Sequence, residues 1–420
     1  MAARGLIADA RSVESGPDGR AAWIRLLLAL LLSTVGGVGM WSVVVALPAV
    51  GAEFGAARSA ASLPYVLAMI GFGFGAIAMG RLADRVGIAL PLGIGWALLC
   101  TGYLAAALAP NLTAYALAHG LLIGVGSSAS FAPLLADISL WFVRRRGIAV
   151  AICAAGNYVA GAIWPPLVQL GIAAFGWRGT HLAVACVCLV AMPPLILALR
   201  TKPNFSAAAV AAARPAFLPT RLAVGSGALQ SLLIVAGIAC CVAMSMPQVH
   251  IVAYCGDLGY GAARGAEMLT LMLGFGIVSR IATGFVADRI GGLATLLAGS
   301  LLQGLALLLY VLFDGLGQLY VISALFGLFQ GGIVPSYAII VREYYPPNEA
   351  ASRVAICITA TIAGMALGGW LSGAIFDLTG SYHAAFLNGL AWNLLNGAIV
   401  ASLLLGRSRR EPAAGAPLAA

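Results

Sequence analysis

Lysine is almost absent from this chain: Lys202, within Arg200-Thr201-Lys202-Pro203, is the single one in 420 residues. No glycine-rich loop ending in Lys-Ser or Lys-Thr can therefore form, which excludes a phosphate-binding P-loop. No apolar stretch holds a lysine either, which excludes a retinal Schiff base of the usual kind. Charge of both signs is scarce, at 9% of residues, against roughly 25% in a soluble domain. No His-Glu pair at helical spacing suits a zinc protease. The eight cysteines lie in or at the ends of apolar stretches. Neither Cys186-x-Cys188 nor Cys240-Cys241 has the spacing of a metal cage, so all are expected as small packing residues. Residues 1–20 carry Asp9, Glu14 and Asp18 without an apolar core, which is not a signal-peptide pattern. Neither an enzyme, nor a cofactor, nor a metal site is expected.

Apolar residues are in excess, at 62% of the chain with a mean hydropathy of +1.00. Too little polar surface remains to face water on all sides. A span needs roughly 20 apolar residues, and twelve stretches qualify: 24–48, 61–80, 88–108, 114–138, 147–171, 180–199, 225–255, 267–286, 293–313, 318–341, 354–376 and 383–405. Leucine, alanine, valine and glycine dominate them, without the alternation of a barrel strand. The fold class is an all-α membrane protein of twelve transmembrane helices. The 53 glycines permit close helix approach, as in Gly71-Phe72-Gly73-Phe74-Gly75 and Gly368-Gly369.

Basic residues orient the chain. With both termini inside, the cytoplasmic segments hold 19 of the 23: Arg4, Arg11, Arg20, Arg25, Arg81, Arg85, Arg144, Arg145, Arg146, Arg200, Lys202, Arg214, Arg221, Arg289, Arg342, Arg353, Arg407, Arg409 and Arg410. The outer loops hold Arg58, Arg178 and Arg264, and Arg280 is left inside span 8. The expected location is the cell (inner) membrane, as a multi-pass protein with cytoplasmic termini. The net charge of +9 is spread over separate loops, so it reports topology and does not point to nucleic acid. Asp137 is expected to pair with the basic run 144–146.

An eight-residue signature occurs twice, 204 positions apart. Gly80-Arg81-Leu82-Ala83-Asp84-Arg85-Val86-Gly87 returns as Gly284-Phe285-Val286-Ala287-Asp288-Arg289-Ile290-Gly291, with five of eight residues identical. A repeated polar hairpin between spans implies duplicated halves, the usual build of a carrier. The organisation reads as a cytoplasmic tail 1–22, a six-helix bundle 23–199, a polar central loop 200–224, a second bundle 225–405 and a tail 406–420. One chain holds both halves, which suits a monomer in the lipid bilayer.

The twelve spans, long central loop and twin Gly-x-x-x-Asp-Arg-x-Gly hairpins resemble the major facilitator superfamily over the whole chain. The resemblance implies two pseudo-symmetric six-helix bundles around a cavity that opens alternately to each side. It also implies gating by Asp84, Arg85, Asp288 and Arg289. A carboxylate there can accept hydrogen bonds from helix N-termini or arginines; simple topogenic charge is the alternative. Neither hairpin completes the family pattern, since no basic pair follows Gly87 or Gly291. An ordered series in spans 4 and 5 looks like the monocarboxylate-porter branch and its oxalate/formate-exchanger relatives. It comprises Gly120-x-x-x-Gly124-x-Gly126, Ala132-Pro133, Trp141-Phe142-x-Arg144-Arg145-Arg146-Gly147-x-Ala149, Pro165-Pro166 and Gly176-Trp177-Arg178. His250-Ile251-Val252-x-Tyr254, Asp257-x-Gly259 and Arg280-x-x-x-Gly284 add to it.

Arg280 is the basic residue kept within a span. Placing arginine at mid-bilayer costs about 2.5–3.5 kcal/mol on insertion scales. It precedes Asp288 by eight residues, about 12 Å of helix and too deep for easy snorkelling. Such a cation needs an anion, and guanidinium binds carboxylates with paired hydrogen bonds. The resemblance implies the same role for a span-8 arginine; a structural ion pair or aromatic stack is the alternative. Related dicarboxylate exchangers carry a second buried cation in span 11. Span 354–376 has none, which favours one carboxylate over two.

For proton coupling the candidates are Asp257, His250 and His119. Asp257 and His250 share a helix face if the helix runs through Gly256; Asp257 could equally be a solvated loop acid and His119 a packed imidazole. Some family members place an acid one turn before the span-8 arginine, where this chain has Gly276. Trp41, Asn157, Tyr158, Gln330, Tyr337 and Asn393 are further candidates for substrate contact, or equally for interhelical bonds. Cys357 and Thr361 are weaker ones. The expected function is a secondary carrier of small monocarboxylates such as lactate or pyruvate, by proton symport with alternating access. Carriage of another organic anion, a carboxylate exchange, a drug- or sugar-like solute, or a non-transporting sensor are the competing readings.

Overall fold

In a computed structural model the described residues are 18–142, 145–200 and 224–406. The expected central loop and the two tails fall almost wholly outside them. So do Arg4, Arg11, Arg144, Lys202, Arg214, Arg221, Arg407, Arg409 and Arg410. Among the described residues every regular element is a helix. Hydrocarbon offers no hydrogen bonds, so a spanning chain must satisfy its own backbone, and a helix does this within one segment.

Eleven described helices are long and apolar enough to cross a membrane. The twelfth span is contained in one of them. The stretch Arg146–Leu199 is broken at Gly176, whose φ of 67° and ψ of 170° suit essentially glycine alone. We number the spans α1 (Arg20–Glu53), α2 (Arg58–Val86), α3 (Ala89–Ala107), α4 (Leu112–Trp141), α5 (146–175) and α6 (177–199). The second half holds α7 (Ser226–Asp257), α8 (Ala262–Ile290), α9 (Gly292–Leu312), α10 (Leu316–Tyr344), α11 (Pro347–Thr379) and α12 (Tyr382–Leu405). α1 is interrupted at Gly37, and α4 contains a wide π turn over Ala118–Gly124.

α1 starts and α12 finishes at one end of the bundle, the termini face; the opposite end is the far face. In the first half α1 packs along α5, α3 along α6 and α2 along α4. In the second, α7 packs along α11 and α12, α8 along α10 and α9 along α12. Two seams join the halves, α5 with α8 and α2 with α11. They are one seam used twice, because α2 and α8 are the helices that end in the twin hairpins. The glycines set these distances: a Cβ on Gly71 would strike the carbonyl oxygen of Gly120, and one on Gly368 would lie 2.7 Å from the Cα of Val242. This is the all-α architecture of twelve transmembrane helices in two pseudo-symmetric bundles.

The repeated signature has a backbone explanation. Its last glycine ends the helix with positive φ, 90° at Gly87 and 82° at Gly291. The N–H of each bonds back to the signature alanine, Gly87 to Ala83 at 2.9 Å and Gly291 to Ala287 at 2.8 Å.

At the termini face α1, α4 and α6 are fastened by a buried ion pair. Arg25 is 4% exposed; its Nε and Nη2 donate to the two oxygens of Asp137 at 2.6 and 2.9 Å, and Nη2 also donates to the Leu199 carbonyl at 2.8 Å. The expected partner of Asp137, the run 144–146, is therefore corrected to Arg25. A guanidinium taken out of water needs a paired acceptor, and this carboxylate is the one within reach.

Candidate functional site

Arg280 lies on α8 where that helix crosses α5 of the other half. Its Nη1 donates to the Ala154 carbonyl of α5 at 3.1 Å, and Nε makes a longer contact to the Gly331 carbonyl of α10 at 3.4 Å. The guanidinium carbon lies 4.4 Å from the centroid of the Tyr158 ring. No carboxylate forms an ion pair with Arg280 among the described residues. An arginine has five N–H donors. Carbonyl dipoles and a ring face leave its full charge uncancelled and some of its donors free.

α5 supplies the platform. Its Tyr158 is buried, and its ring fills the notch left by Gly276, where a Cβ would collide with Tyr158 Cε1. The position one turn before Arg280 is thus occupied by an aromatic face from the other half. Trp41 of α1 donates its indole N–H to the Asn157 carbonyl at 3.0 Å, and it closes over Gly161. Asn157 itself is half-buried. Of these candidates Tyr158 touches Arg280, while Trp41 meets the same stretch of α5 through the Asn157 carbonyl. Gln330 stands next to Gly331; it is fully buried, and its Oε1 accepts from Gln248 Nε2 at 2.9 Å while its own Nε2 has no partner.

The other two predicted contacts sit elsewhere. Tyr337 donates to Asn396 Oδ1 at 3.2 Å; Asn396 donates to Ser300 Oγ at 2.7 Å, and Asn393 to the Ser300 carbonyl at 2.8 Å. This buried network ties α9, α10 and α12 within the second half. For Tyr337 and Asn393 the interhelical role is the one the geometry displays. Cys357 is likewise taken, by Gln230 Nε2 at 3.3 Å, and the Thr361 hydroxyl bonds its own helix at Ile358.

The three proton-coupling candidates do not gather at Arg280. His250 is enclosed in the second half, between the Gly369 carbonyl at 2.8 Å and the Tyr382 hydroxyl at 3.3 Å. A carbonyl can only accept, so Nε2 carries a proton. His119 is enclosed in the first half, its Nδ1 3.0 Å from the Tyr115 carbonyl and its ring against Tyr115 and His181. Its Nε2 has no partner. The helix does run through Gly256 to Asp257, but Asp257 lies at the far face, bonded to Arg58 at 2.6 Å.

The hairpin residues Asp84, Arg85, Asp288 and Arg289 are exposed and form no ion pair among the described residues. The N-terminus of α9, just after the second hairpin, is bonded by Glu343, whose Oε1 accepts from the Gly292 N–H at 2.9 Å. The glutamate reaches it from α10, while Asp288 is exposed on the last turn of α8.

At the far face Arg58 and Asp377 come together, a pairing outside the sequence-based candidates. The backbone N–H groups of Arg58 and Ser59 both donate to Asp377, at 2.8 Å each. The signal available was slight: Arg58 was an exception in the count of basic residues, and Asp377-Leu378 echoes Asp257-Leu258 at the end of a span.

Comparison with known proteins adds the following. The family model of the Major Facilitator Superfamily matches residues 29–316 and 267–420. Monocarboxylate transporter 13 of Rattus norvegicus is 27% identical over 410 residues, covering 92% of this chain and 90% of the relative. Monocarboxylate transporter 11 of Homo sapiens is 29% identical, covering 95% of this chain and 85% of the relative. Among solved structures, a mutant of the nucleoside transporter NupG superposes with a TM-score of 0.71 at 13% identity, over 90% of this chain and 99% of that one.

Proposed function

The chain belongs to the major facilitator superfamily, and from that premise we propose that it carries small monocarboxylates such as lactate or pyruvate across the membrane. The observation that carries the reading is Arg280, a cation inside a span with no acid paired to it among the described residues. Its ring and carbonyl contacts orient the guanidinium without neutralising it, and a substrate carboxylate supplies the missing charge through paired hydrogen bonds. One such cation suits one carboxylate. Trp41, Asn157 and Tyr158 wall the site from the first half and Gln330 from the second, so substrate held at Arg280 touches both halves. That is the requirement for alternating access, in which the halves rock about a central site. The kinship with relatives named monocarboxylate transporters supports the same substrate class.

In this reading the termini face is cytoplasmic, because the arginines of the hairpins and Arg20 and Arg25 at the start of α1 gather there. The exposed pairs Asp84–Arg85 and Asp288–Arg289 are gating charges that find partners when this face closes. The coupling ion is a proton. Asp257 is its carrier among the three candidates, since it stands between the halves while His250 and His119 are enclosed within one.

The test is uptake of labelled lactate into proteoliposomes under an imposed inward proton gradient, with Arg280→Ala beside wild type. Gradient-dependent uptake that disappears in a folded Arg280→Ala protein is the expected result. Uptake indifferent to Arg280, or a folded wild type that moves no member of a carboxylate panel, overturns the reading.

A further inference from the structure

We propose that Asp377 is a latch between the two halves that holds the far mouth shut. It requires the transporter reading but not the choice of substrate. Asp377 stands near the end of α11, in the second half. Its two carboxylate oxygens accept the N–H groups of Arg58 and Ser59, each at 2.8 Å. Those are the first residues of α2, in the other half. A helix begins with N–H groups that have no partner in its own ladder, and a carboxylate there is favoured by hydrogen bonding and by the helix dipole. Such caps ordinarily come from the residue just before the helix. Ala57 fills that place here and has no capping side chain, so the cap is supplied from 319 positions away.

The same point is fastened twice more. The Arg58 guanidinium reaches Asp257 of α7 at 2.6 Å and lies 5.4 Å from the Phe376 ring centroid. The backbone of α2 also rests directly on Gly373 of α11, where a Cβ would lie 2.8 Å from the Arg58 carbonyl oxygen and 2.9 Å from the Ser59 nitrogen. Every one of these contacts joins first half to second. When the halves part at the far face, all must break together, and the start of α2 loses its cap. At the termini face, by contrast, the twin hairpins carry exposed charges without ion pairs among the described residues. The latch therefore weights the protein toward the state closed at the far face. Because Asp377 grips backbone, it is indifferent to the side chain at 58; the Arg58–Asp257 pair is a separate strand of the same fastening.

Hydrogen–deuterium exchange of the full chain in lipid nanodiscs, without substrate, tests this. Asp377→Ala is expected to speed exchange around 57–62 by about tenfold, the loss of one charge-assisted bond or more. At the same time exchange at the hairpins 83–88 and 287–292 is expected to slow, because opening one face closes the other. Gly373→Val, which changes no charge, is expected to act in the same two directions. Arg58→Ala, which leaves the backbone cap intact, is expected to have a smaller effect of the same sign. Acceleration confined to 57–62 would make Asp377 a local cap and overturn the proposal. Faster exchange in all spans, or none in any, overturns it too. Lactate transport has no bearing on the readout, so the latch and the substrate reading fail separately.

Discussion

Replacing Tyr158 by leucine removes the face on which Arg280 rests. The guanidinium carbon lies 4.4 Å from the ring centroid, and the ring is buried. A desolvated cation–π contact of this kind is worth about 1–2 kcal/mol, which is about 5- to 30-fold in a binding constant. The ring carries no group that reacts, and its work is to hold the guanidinium in one plane. The loss is therefore expected in affinity: the KM for lactate rises by about 5- to 30-fold while the maximal rate stays within about twofold. Tyr158→Phe keeps the face and loses only the hydroxyl, so its KM is expected to stay within about threefold of wild type. The assay is initial uptake rate against lactate concentration in proteoliposomes, at matched protein incorporation. A leucine variant with unchanged KM would refute the positioning role. A phenylalanine variant as impaired as leucine would refute it differently, by showing that the hydroxyl touches substrate.

Other perturbations have equally definite outcomes. Asp137→Ala leaves Arg25 buried without its acid and is expected to destabilise by about 3–5 kcal/mol, read as a fall in thermal midpoint; Arg25→Met with Asp137→Leu is expected to recover most of the loss, and equal instability of single and double variants would contradict the pairing. Gly176→Ala forces a side chain into positive φ and is expected to cost about 1–3 kcal/mol, with the midpoint again as the measure. Gly276→Ala is expected to raise the KM by crowding Tyr158, and to do so less in a Tyr158→Leu background, since the collision is with that ring.

The spans, the duplication and the arginine within span 8 were legible because each follows from one-dimensional chemistry. Apolar runs of bilayer length have few alternatives, and Gly87 and Gly291 announce helix ends wherever they occur. Gly176 shows the limit of helix counting, since apolar residues on both sides let one helical stretch serve as two spans. Rotation about a helix axis is not written in composition, so the polar side chains within spans stayed ambiguous. Tyr158 lies against Arg280 and Trp41 bonds the Asn157 carbonyl of the same helix, whereas Tyr337 and Asn393 join a network around Ser300 within their own half. Partners far apart in sequence were equally hidden: Asp137 lies close in sequence to several arginines yet binds Arg25, and the bond from Asp377 to the start of α2 spans 319 positions. His250 and Asp257 do share the helix that their spacing allowed, but the pair is divided, with one enclosed by α11 and α12 and the other at the far mouth.

The central claim is that Arg280 recognises the charge of a carboxylate. Equilibrium binding of radiolabelled lactate to the purified protein, competed by unlabelled lactate or by lactamide, tests it most directly. The amide has nearly the same shape and no charge. The account predicts that lactamide fails to compete, and that Arg280→Gln weakens lactate binding by about 100-fold or more, as expected for a lost paired ionic contact. Equal competition by lactate and lactamide, or full lactate affinity in folded Arg280→Gln, would contradict it.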